Sequence, residues 1–454
     1  MSLTPVRSLS KTLMRARPPA GEGLGGKIRP EALRPIRLLA YSHDTFGLGN
    51  LRRMVAICAH LKTQISGTSV LMLTGSPMSH RFRMIDGIDY VKLPCLKRDL
   101  VGEVGVKYLN LNLESAVRLR RELILSTVMN FHPDILLVDK KPGGVAGELE
   151  DSLQALKTNC PDTAIVLLLR DILDDAAATV EQWKRQRAYE LLHTYYDKIL
   201  VVGLQELYDI REEYQLPAAI SAKVHFCGYI RREAAPESRK TLRQKLRIGA
   251  TDRMILVTAG GGEDGYCLMR TYLEGLSTHC PEASCKSVIV TGPELAEPLK
   301  REVQQLADRC RCAGVIEFTD QMMNYINAAD VVVSMAGYNT ICEILSLRKR
   351  AVIVPRVVPV QEQKIRAERM ARLGLFRMIH PDVLTPRTLM EAVHSETKAL
   401  QHLSVSPATL SLDALHFITA VIWDLIGQPA IQDAARRPET SRGHGSGREQ
   451  PAIG

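Results

Sequence analysis

The stretch MILVTAGGGEDGYCLM, residues 254–269, decides the fold, because an apolar run passes through three glycines into a segment of helical period. Such a continuous apolar run is typical of a strand buried on both faces of a parallel sheet. Glycines at this junction let backbone N–H groups at the helix N-terminus approach a phosphate, or they simply make a tight turn. Glu263 and Asp264 would repel a diphosphate unless they point away. The stretch therefore predicts one strand-loop-helix unit and leaves the role of its loop open.

The same unit recurs along the chain. Seven similar apolar runs precede it and four follow, and segments of helical period separate them; the runs lie at 36–41, 69–74, 89–93, 134–139, 164–169, 198–203, 223–228, 287–293, 314–319, 330–337 and 350–355. A chain of 454 residues also exceeds what one core usually organises. The pattern predicts an α/β protein with two Rossmann-like, doubly wound domains facing a cleft.

Composition shifts give the domain boundaries. We expect a disordered basic tail at 1–33, an N-terminal domain at 34–232, a charged linker at 233–250, a C-terminal domain at 251–428 and a disordered tail at 429–454. An organelle transit peptide is the alternative for the first segment, because that segment is basic and carries no acid before Glu22.

Charge and cysteine content narrow the class of protein. The net charge of +9 favours an anionic partner, and no apolar run reaches the roughly 18 to 20 residues of a membrane-spanning helix. The ten cysteines lack the paired spacing and the histidines of a zinc site. We therefore expect reduced thiols, a cytoplasmic protein, and no metal or cofactor.

A second junction, ADVVVSMAGYNTICEI at 329–344, again runs from a strand through small residues into a helix. Ala336 and Gly337 let a ligand approach the backbone, while Asn339 and Thr340 are suited to cap the helix. We expect Glu343 in the first helical turn, where its carboxylate either accepts from the two hydroxyls of a ribose or complements the helix dipole.

A third junction, SHDTFGLGN at 42–50, opens a helix at Asn50 after Gly47 and Gly49. Arg53 and its neighbour Arg52 lie on the polar side of that helix, where they contact an acceptor phosphate or only solvent. A fourth strand end, RDILDD at 170–175, provides either acceptor contacts or helix caps.

Four segments together resemble a known family. EFTDQM (317–322), the stretch at 329–344, AVIVP (351–355) and QEQKIRAERMARLGLFRMI (361–379) are similar, in order and spacing, to the donor domain of MurG-like glycosyltransferases, family 28 of the two-domain GT-B class. The similarity is best over about 254–380. An uncharacterised bacterial group of predicted glycosyltransferases shows the same pattern.

The resemblance implies that the C-terminal domain binds a nucleotide-diphosphate sugar, commonly a UDP-sugar, and that the N-terminal domain receives the acceptor. It implies contacts to the diphosphate, the base, the ribose and the sugar hydroxyls; these would come from Gly261, Gly262, Phe318, Thr319, Ser334, Ala336, Gly337, Asn339, Thr340, Glu343, Gln361 and Gln363. The acceptor-side loop would comprise Gly47, Gly49, Asn50 and Arg53.

One departure bears on catalysis, because Asn50 stands where the family usually has histidine. His43, with Asp44 second, then becomes the candidate catalytic base, or the protein is weak or inactive. The sequence has no DxD pair for a metal-held diphosphate, and Met335 stands eight residues before Glu343, where retaining members carry a glutamate. The expected activity is thus hexosyl transfer with inversion and without metal.

The partners and the rival functions follow from the same resemblance. We expect a nucleotide-diphosphate sugar, an unknown acceptor that is either lipid-linked or a glycan, no nucleic acid, and peripheral contact with the inner face of a membrane. The rivals are a nucleotide-sugar epimerase or hydrolase on the same fold, and a non-catalytic nucleotide-sugar-binding subunit.

Overall fold

A computed structural model describes residues 35–42, 49–77, 79, 86–98, 104–233, 239–278, 285–399 and 410–427. The predicted tails at 1–33 and 429–454, and the loop residues His43, Asp44 and Gly47, lie outside these ranges. All described residues belong to one compact unit, Pro35–Gly454. None of the helices within them has the length and apolar character needed to cross a bilayer.

The N-terminal half contains nine described strands: β1 (Arg37–Ser42), β2 (Ser69–Thr74), β3 (Ile88–Lys92), β4 (Leu96–Arg98), β5 (Val104–Val106), β6 (Ile135–Asp139), β7 (Ala164–Arg170), β8 (Lys198–Val202) and β9 (Val224–Phe226). Seven of them form a parallel sheet in the order β3-β2-β1-β6-β7-β8-β9. The short strands β4 and β5 pair antiparallel beside it.

The C-terminal half contains six described strands: β10 (Arg253–Thr258), β11 (Cys285–Val290), β12 (Ala313–Ile316), β13 (Val331–Ser334), β14 (Arg350–Ile353) and β15 (Arg377–Met378). They form a second parallel sheet in the order β12-β11-β10-β13-β14-β15. The two parallel sheets confirm the predicted α/β, doubly wound fold class.

Helices connect the strands and cover the sheets: α1 (Gly49–Gln64), α2 (Leu113–Phe131), α3 (Glu150–Asn159), α4 (Ala176–Arg185), α5 (Ala188–Thr194), α6 (Ile210–Glu213), α7 (Ala218–Ser221), α8 (Arg239–Lys245), α9 (Tyr266–Thr278), α10 (Glu297–Asp308), α11 (Met322–Ala328), α12 (Tyr338–Ser346), α13 (Glu362–Arg372), α14 (Pro386–Lys398) and α15 (Ala414–Ile426). A 3₁₀ turn spans Pro381–Val383. Because helices lie on both faces, the central strands are buried on both faces, which is why their sequences are continuously apolar rather than alternating.

Each sheet reverses its strand order at one place. In the first sheet the order runs outward on one side through β2 and β3, and on the other through β6 to β9, so the reversal lies between β1 and β6. In the second sheet it lies between β10 and β13. The crevice outside the carboxyl ends of the strands at such a reversal is where open α/β sheets bind ligands. The predicted glycine loops follow β1, β10 and β13, and thus lie at these two crevices.

The apolar core extends through both halves. One cluster of fully buried side chains contains Leu38 of β1 and Met54 of α1 together with Leu256 of β10 and Ile341 of α12. The opposite face of each sheet has a cluster of its own. The two sheets are therefore packed as one body through the shared cluster.

Three local features differ from the sequence expectations. The predicted linker contains α8, whose Arg243 and Arg239 both pair with Asp330 at the start of β13. The expected capping of α12 by Asn339 and Thr340 is wrong, because the N-cap is Gly337, which has no side chain to accept a hydrogen bond from the helix backbone. Glu343 consequently lies beyond the first turn of α12.

The last described helix returns to the N-terminal half. Although the sequence groups it with the C-terminal domain, α15 packs against α1, and the rings of His60 and His416 meet edge-on with centroids 5.1 Å apart. The chain therefore crosses between the halves a second time before residue 427.

A buried ion pair also joins the halves. Arg366 of α13 forms two hydrogen bonds to Asp171, which directly follows β7: Nε to Oδ2 at 2.8 Å and Nη2 to Oδ1 at 2.7 Å. Its Nη1 donates to the carbonyl of Ala336, and the hydroxyl of Tyr229 donates to Asp171. Both charged side chains are at most 1% exposed. The pair is thus fully desolvated and fully hydrogen-bonded.

We expect Arg366→Met to destabilise the protein by about 3–5 kcal/mol, because it leaves the Asp171 carboxylate buried without its counter-charge. The double variant Arg366→Met/Asp171→Asn should be more stable than the single one. The shift of the thermal and urea midpoints measures both effects. Arg387→Met, which breaks only an exposed pair with Glu391, is the control and should leave the midpoints unchanged. Unfolding of Arg366→Met at the wild-type midpoint would contradict the proposed structural role of the pair.

Candidate functional site

The first crevice is bounded by α1 on one side and by the end of β6 on the other. Arg53 of α1 is 1% exposed and forms a buried ion pair with Asp139, the last residue of β6; its Nη2 also lies 3.4 Å from Oδ1 of Asn50. The expectation that Arg53 is solvated is therefore wrong. Its guanidinium instead joins α1 to the end of β6 at the strand-order reversal.

The residues after β6 and β7 extend this crevice. Lys140 and Lys141 follow β6, and the ammonium of Lys141 donates to Gln182. Arg170, the last residue of β7, pairs with Glu362 of α13 at 2.7 Å (Nη2 to Oε2). Asp175 accepts from the backbone N–H groups of Ala177 and Ala178 and caps α4, as the helix-cap alternative predicted. Lys140, Lys141 and Arg170 thus place three basic side chains on the wall toward the C-terminal half, where Glu362 compensates one of the charges.

The second crevice begins with the glycine loop after β10. Gly262 has φ +99°, and a Cβ there would lie 2.1 Å from the carbonyl oxygen of Thr291. A Cβ on Gly292 would lie 2.3 Å from the carbonyl oxygen of Gly261. Gly262 and Gly292 are therefore required by close packing of the two loops, whether or not a ligand is bound.

Acidic side chains surround that loop. Burial, followed by the negative charges of Glu263 and Asp264, raises the pKa of Glu294, whose carboxylate would contact any side chain placed on Gly261. Asp264 is paired with Arg356 at 3.2 Å (Nη1 to Oδ2). The repulsion of a diphosphate expected from Asp264 is thus partly offset by an arginine that the sequence did not connect to it.

The segment after β13 forms the other wall. Ser334 is fully buried, and its hydroxyl donates to the carbonyl of Thr258 on β10, so that group serves the sheet. Ala336 is buried as well. By contrast, no described atom lies within 4 Å of the position that a Cβ on Gly337 would occupy. The backbone at the N-terminus of α12 is therefore open where the sequence predicted a ligand.

The two crevices meet at α12. Nδ2 of Asn339 donates to the carbonyl of Gly49 at 3.0 Å, so the start of α12 contacts the start of α1 directly. Oγ1 of Thr340 lies 3.9 Å from the Cβ position of Gly260. Three of the glycine-rich junctions in the sequence are thereby brought together.

Glu343 is 1% exposed and faces the N-terminal half. Its Oε1 lies 2.9 Å from Nη2 of Arg52 on α1, but this oxygen accepts no well-directed hydrogen bond from the described residues. Burial raises the pKa of Glu343, although Arg52 and Arg232 act in the opposite direction. The carboxylate is thus held by an arginine whose side chain is itself 38% exposed.

The remaining predicted donor residues lie at the two ends of the second crevice. Phe318 is half-exposed after the edge strand β12, and Oγ1 of Thr319 accepts from the backbone N–H of Gln321. At the other end, Oε1 of Gln363 accepts from the backbone N–H of Arg356, and the backbone N–H of Gln361 donates to Asp174. Gln361 thus connects the start of α13 to the N-terminal half.

Glu362 stands between the two glutamines and is surrounded by cations. Burial alone would raise its pKa, but Arg170 and Arg366, followed by Lys140 and Arg356, lower it to about 2. This carboxylate is therefore ionised at neutral pH and acts as a counter-ion rather than as an acid or a base.

Sequence reasoning missed several residues of the site. Tyr338, the first residue of α12, is buried, and the guanidinium carbons of Arg53 and Arg366 each lie 5.7 Å from its ring centre. No local sequence pattern predicts this contact, because its three residues belong to segments that are distant along the chain. Lys140 was also missed, although it follows the apolar run DILLVD and the strand-end rule applied elsewhere would have found it.

Comparison with known proteins supports the C-terminal assignment. Residues 254–411 match the model of the glycosyltransferase family 28 C-terminal domain. The chain is 27% identical over 202 residues to the UDP-N-acetylglucosamine–N-acetylmuramyl-(pentapeptide) pyrophosphoryl-undecaprenol N-acetylglucosamine transferase of Alkaliphilus metalliredigens, a match covering 43% of this chain and 55% of that protein. It is also 27% identical over 195 residues to an uncharacterized glycosyltransferase of Methanopyrus kandleri, covering 42% and 52%. The matches thus span about half the length of these relatives.

Solved structures extend the likeness to both halves. MurG of Acinetobacter baumannii superposes with a TM-score of 0.55 at 16% identity, covering 86% of this chain and 100% of that one. The UDP-GlcNAc 2-epimerase of Neisseria meningitidis, solved with UDP-GlcNAc bound, gives 0.54 at 13% identity and covers 86% and 99%. At such identities the likeness shows the fold alone. Residues 254–411 therefore resemble a glycosyltransferase family 28 C-terminal domain, in a chain of GT-B fold that resembles the MurG-like proteins as its sequence predicted.

Proposed function

We propose that this protein is a glycosyltransferase that moves a sugar from a nucleotide-diphosphate sugar, a UDP-sugar, to an acceptor hydroxyl with inversion and without a metal ion. The observation that carries the proposal is the contact of the two crevices at α12, where the family 28 domain meets the start of α1 through Asn339 and Gly49. Ligand crevices at both strand-order reversals are what a two-substrate transfer requires.

The donor is proposed to lie along the second crevice. Its diphosphate would approach the open backbone at Gly337, where the N-terminus of the nine-residue helix α12 favours negative charge. The base would lie by the half-exposed Phe318 and by Thr319, and the sugar by Gln361 and Gln363 at the opposite end. From β12 to α13, these residues are arranged in the same order as the parts of the donor: base, ribose, diphosphate and sugar.

The ribose is proposed to bind Glu343. Its carboxyl group is buried and its Oε1 accepts no well-directed hydrogen bond from the described residues, so a ribose hydroxyl would satisfy that oxygen. Arg52 must then withdraw from Oε1 or share it, which its partial exposure permits. Donor binding is accordingly an exchange of partners at Glu343.

The reaction proposed is a displacement at the sugar C1. An acceptor oxygen forms the new bond while the bond to the β-phosphate oxygen breaks, and the nucleoside diphosphate leaves with the electron pair. The N-terminus of α12 stabilises the charge that develops on the leaving group. A general base on the N-terminal half takes the acceptor proton; the sequence predicts His43, with Asp44 second, and both lie outside the described residues.

The acceptor is proposed to be a lipid-linked or glycan hydroxyl, presented at the inner face of a membrane. The relative from Alkaliphilus metalliredigens carries pyrophosphoryl-undecaprenol in its name. The net charge of +9 would favour an anionic surface of this kind. A thermal-shift screen of UDP-, GDP- and dTDP-sugars tests the donor class first, since it needs no acceptor.

An epimerase or hydrolase remains the alternative favoured by a specific observation, the matching fold of the UDP-GlcNAc 2-epimerase. Such an enzyme converts UDP-GlcNAc at its full rate with no acceptor, so mass spectrometry and NMR of donor plus protein alone distinguish it from a transferase. A non-catalytic subunit would bind UDP yet show no turnover with any acceptor, even after Asn50→His.

We expect Gly337→Val to weaken UDP binding roughly 5- to 150-fold, because the added carbons fill the space proposed for the diphosphate at a cost of about 1–3 kcal/mol. Isothermal titration calorimetry measures the affinity. Gly314→Val is the matched control, since Gly314 of β12 also has no described atom within 4 Å of its Cβ position but lies away from α12. Equal UDP affinity of the two variants would refute the diphosphate position.

We expect Glu343→Ala to weaken UDP binding by about 1.5–3 kcal/mol through loss of a charge-assisted hydrogen bond to the ribose. Uracil, which lacks the ribose, should not distinguish the variant from the wild type. Glu297→Ala, an exposed acid at the start of α10, is the control in the same half. Unchanged UDP affinity in calorimetry would remove Glu343 from the donor site.

A further inference from the structure

Lys140 occupies a strained turn at the first crevice. It follows β6 directly, and the backbone N–H of Lys141 donates to the carbonyl of Asp139 at 2.7 Å, which closes a three-residue γ-turn around it. Its φ is +63°, in the left-handed region that side chains disfavour by about 1–3 kcal/mol. The turn fixes the direction of the lysine at the reversal between β1 and β6, where the acceptor-side crevice lies.

The charges that act on the Lys140 ammonium come from both halves. They are Arg170 of β7, Glu362 of α13, the adjacent Lys141, and Asp139 of β6. Glu362 is flanked by Gln361 and Gln363, the pair proposed to hold the donor sugar. The ammonium is therefore within electrostatic reach of the residue at the centre of the proposed sugar-binding segment.

The neighbouring arginines are each paired with a carboxylate, but Lys140 is not. Arg53 pairs with Asp139, Arg170 with Glu362, and Arg366 with Asp171. Within the described ranges, the Lys140 side chain forms no hydrogen bond, and no carboxylate oxygen comes within ion-pair distance of it. It is half-buried rather than sealed, so a ligand in the crevice can reach it.

Burial and the positive charge of Arg170 lower the pKa of Lys140 to about 7. The opposing charge of Glu362 only partly compensates, because that carboxylate is shared among arginines. A substantial fraction of the amine is therefore neutral near pH 7, as a general base requires. Glu362 itself, with a pKa of about 2, is too weak a base for this task.

We propose that Lys140 is the catalytic base of the transfer, an inference that rests on the proposed function. Its neutral Nζ accepts the proton of the acceptor hydroxyl as that oxygen bonds to C1 of the sugar. The bond from C1 to the β-phosphate oxygen breaks, and its electron pair leaves on the nucleoside diphosphate. The resulting ammonium then releases its proton to solvent, so atoms and charge balance without a further reactant.

The first test measures the chemical reactivity of the Lys140 amine and does not require the protein to turn over its substrate. Pulsed acetylation with acetic anhydride, read by mass spectrometry, reports how fast each lysine reacts in the full-length protein. UDP-GlcNAc should protect Lys140 while UDP alone should not, because the sugar and not the nucleotide covers the amine. Lys184, exposed on α4, is the reference and should react equally in both cases. Equal acetylation of Lys140 at saturating UDP-GlcNAc would overturn the inference.

The second test is kinetic and uses slow UDP release from UDP-GlcNAc with water as the simplest hydroxyl. We expect Lys140→Met and Lys140→Arg both to lower the rate constant at saturating donor about 10²- to 10⁴-fold with unchanged donor affinity. The Lys184→Met control should keep the wild-type rate. Lys140→Cys should regain activity after alkylation with 2-bromoethylamine, which restores an amine at nearly the same position.

The dependence of the rate on pH shows whether the neutral amine of Lys140 is the active form. Because the base acts in its neutral form, the wild-type rate should rise as pH increases through about 7, and this limb should be absent from Lys140→Arg. A wild-type rate in Lys140→Arg, or loss of the limb in His43→Ala with its retention in Lys140→Arg, would overturn the inference. Failure of every UDP-sugar in the thermal-shift screen to bind the wild-type protein would instead refute the proposed function.

Discussion

The buried pair of Arg366 and Asp171 is the interaction on which the arrangement of the two halves depends. A charge taken out of water is tolerated only when it is paired and its hydrogen bonds are satisfied, and here both conditions require groups from both halves. The guanidinium reaches Asp171 at the end of β7 and the carbonyl of Ala336 after β13. One side chain therefore fixes the N-terminal sheet relative to the loop after β13.

The other charges of the cleft follow from the same rule. Each buried arginine has its own carboxylate, and the pairs cross between strand ends and helices rather than lying along one element. This pairing leaves an excess of positive charge at the end of β6. Glu343 differs from these carboxylates, because its partner Arg52 is partly exposed to solvent. The cleft therefore contains an ion pair that can exchange partners as well as pairs that are fully buried.

The sequence was sufficient for the parts of the fold that depend on local periodicity. Continuous apolar runs predicted the parallel strands, and the glycine junctions predicted the loops at the strand-order reversals. The sequence was insufficient where contacts between residues far apart along the chain determine the local structure. The helix at Arg239–Lys245 is held by Asp330, some ninety residues away, and the capping expected of Asn339 is absent because its amide bonds to Gly49 instead. Arg53 was misjudged for the same reason, since its buried partner Asp139 lies on another strand.

The interlocked glycines also set limits on redesign of the protein. A side chain on Gly262 would meet the carbonyl oxygen of Thr291, and a side chain on Gly292 would meet that of Gly261. A library that diversifies these two glycines would therefore mostly yield misfolded proteins. Gly337 and Phe318, by contrast, have open surroundings, so both positions tolerate a range of side chains without a clash in the folded protein.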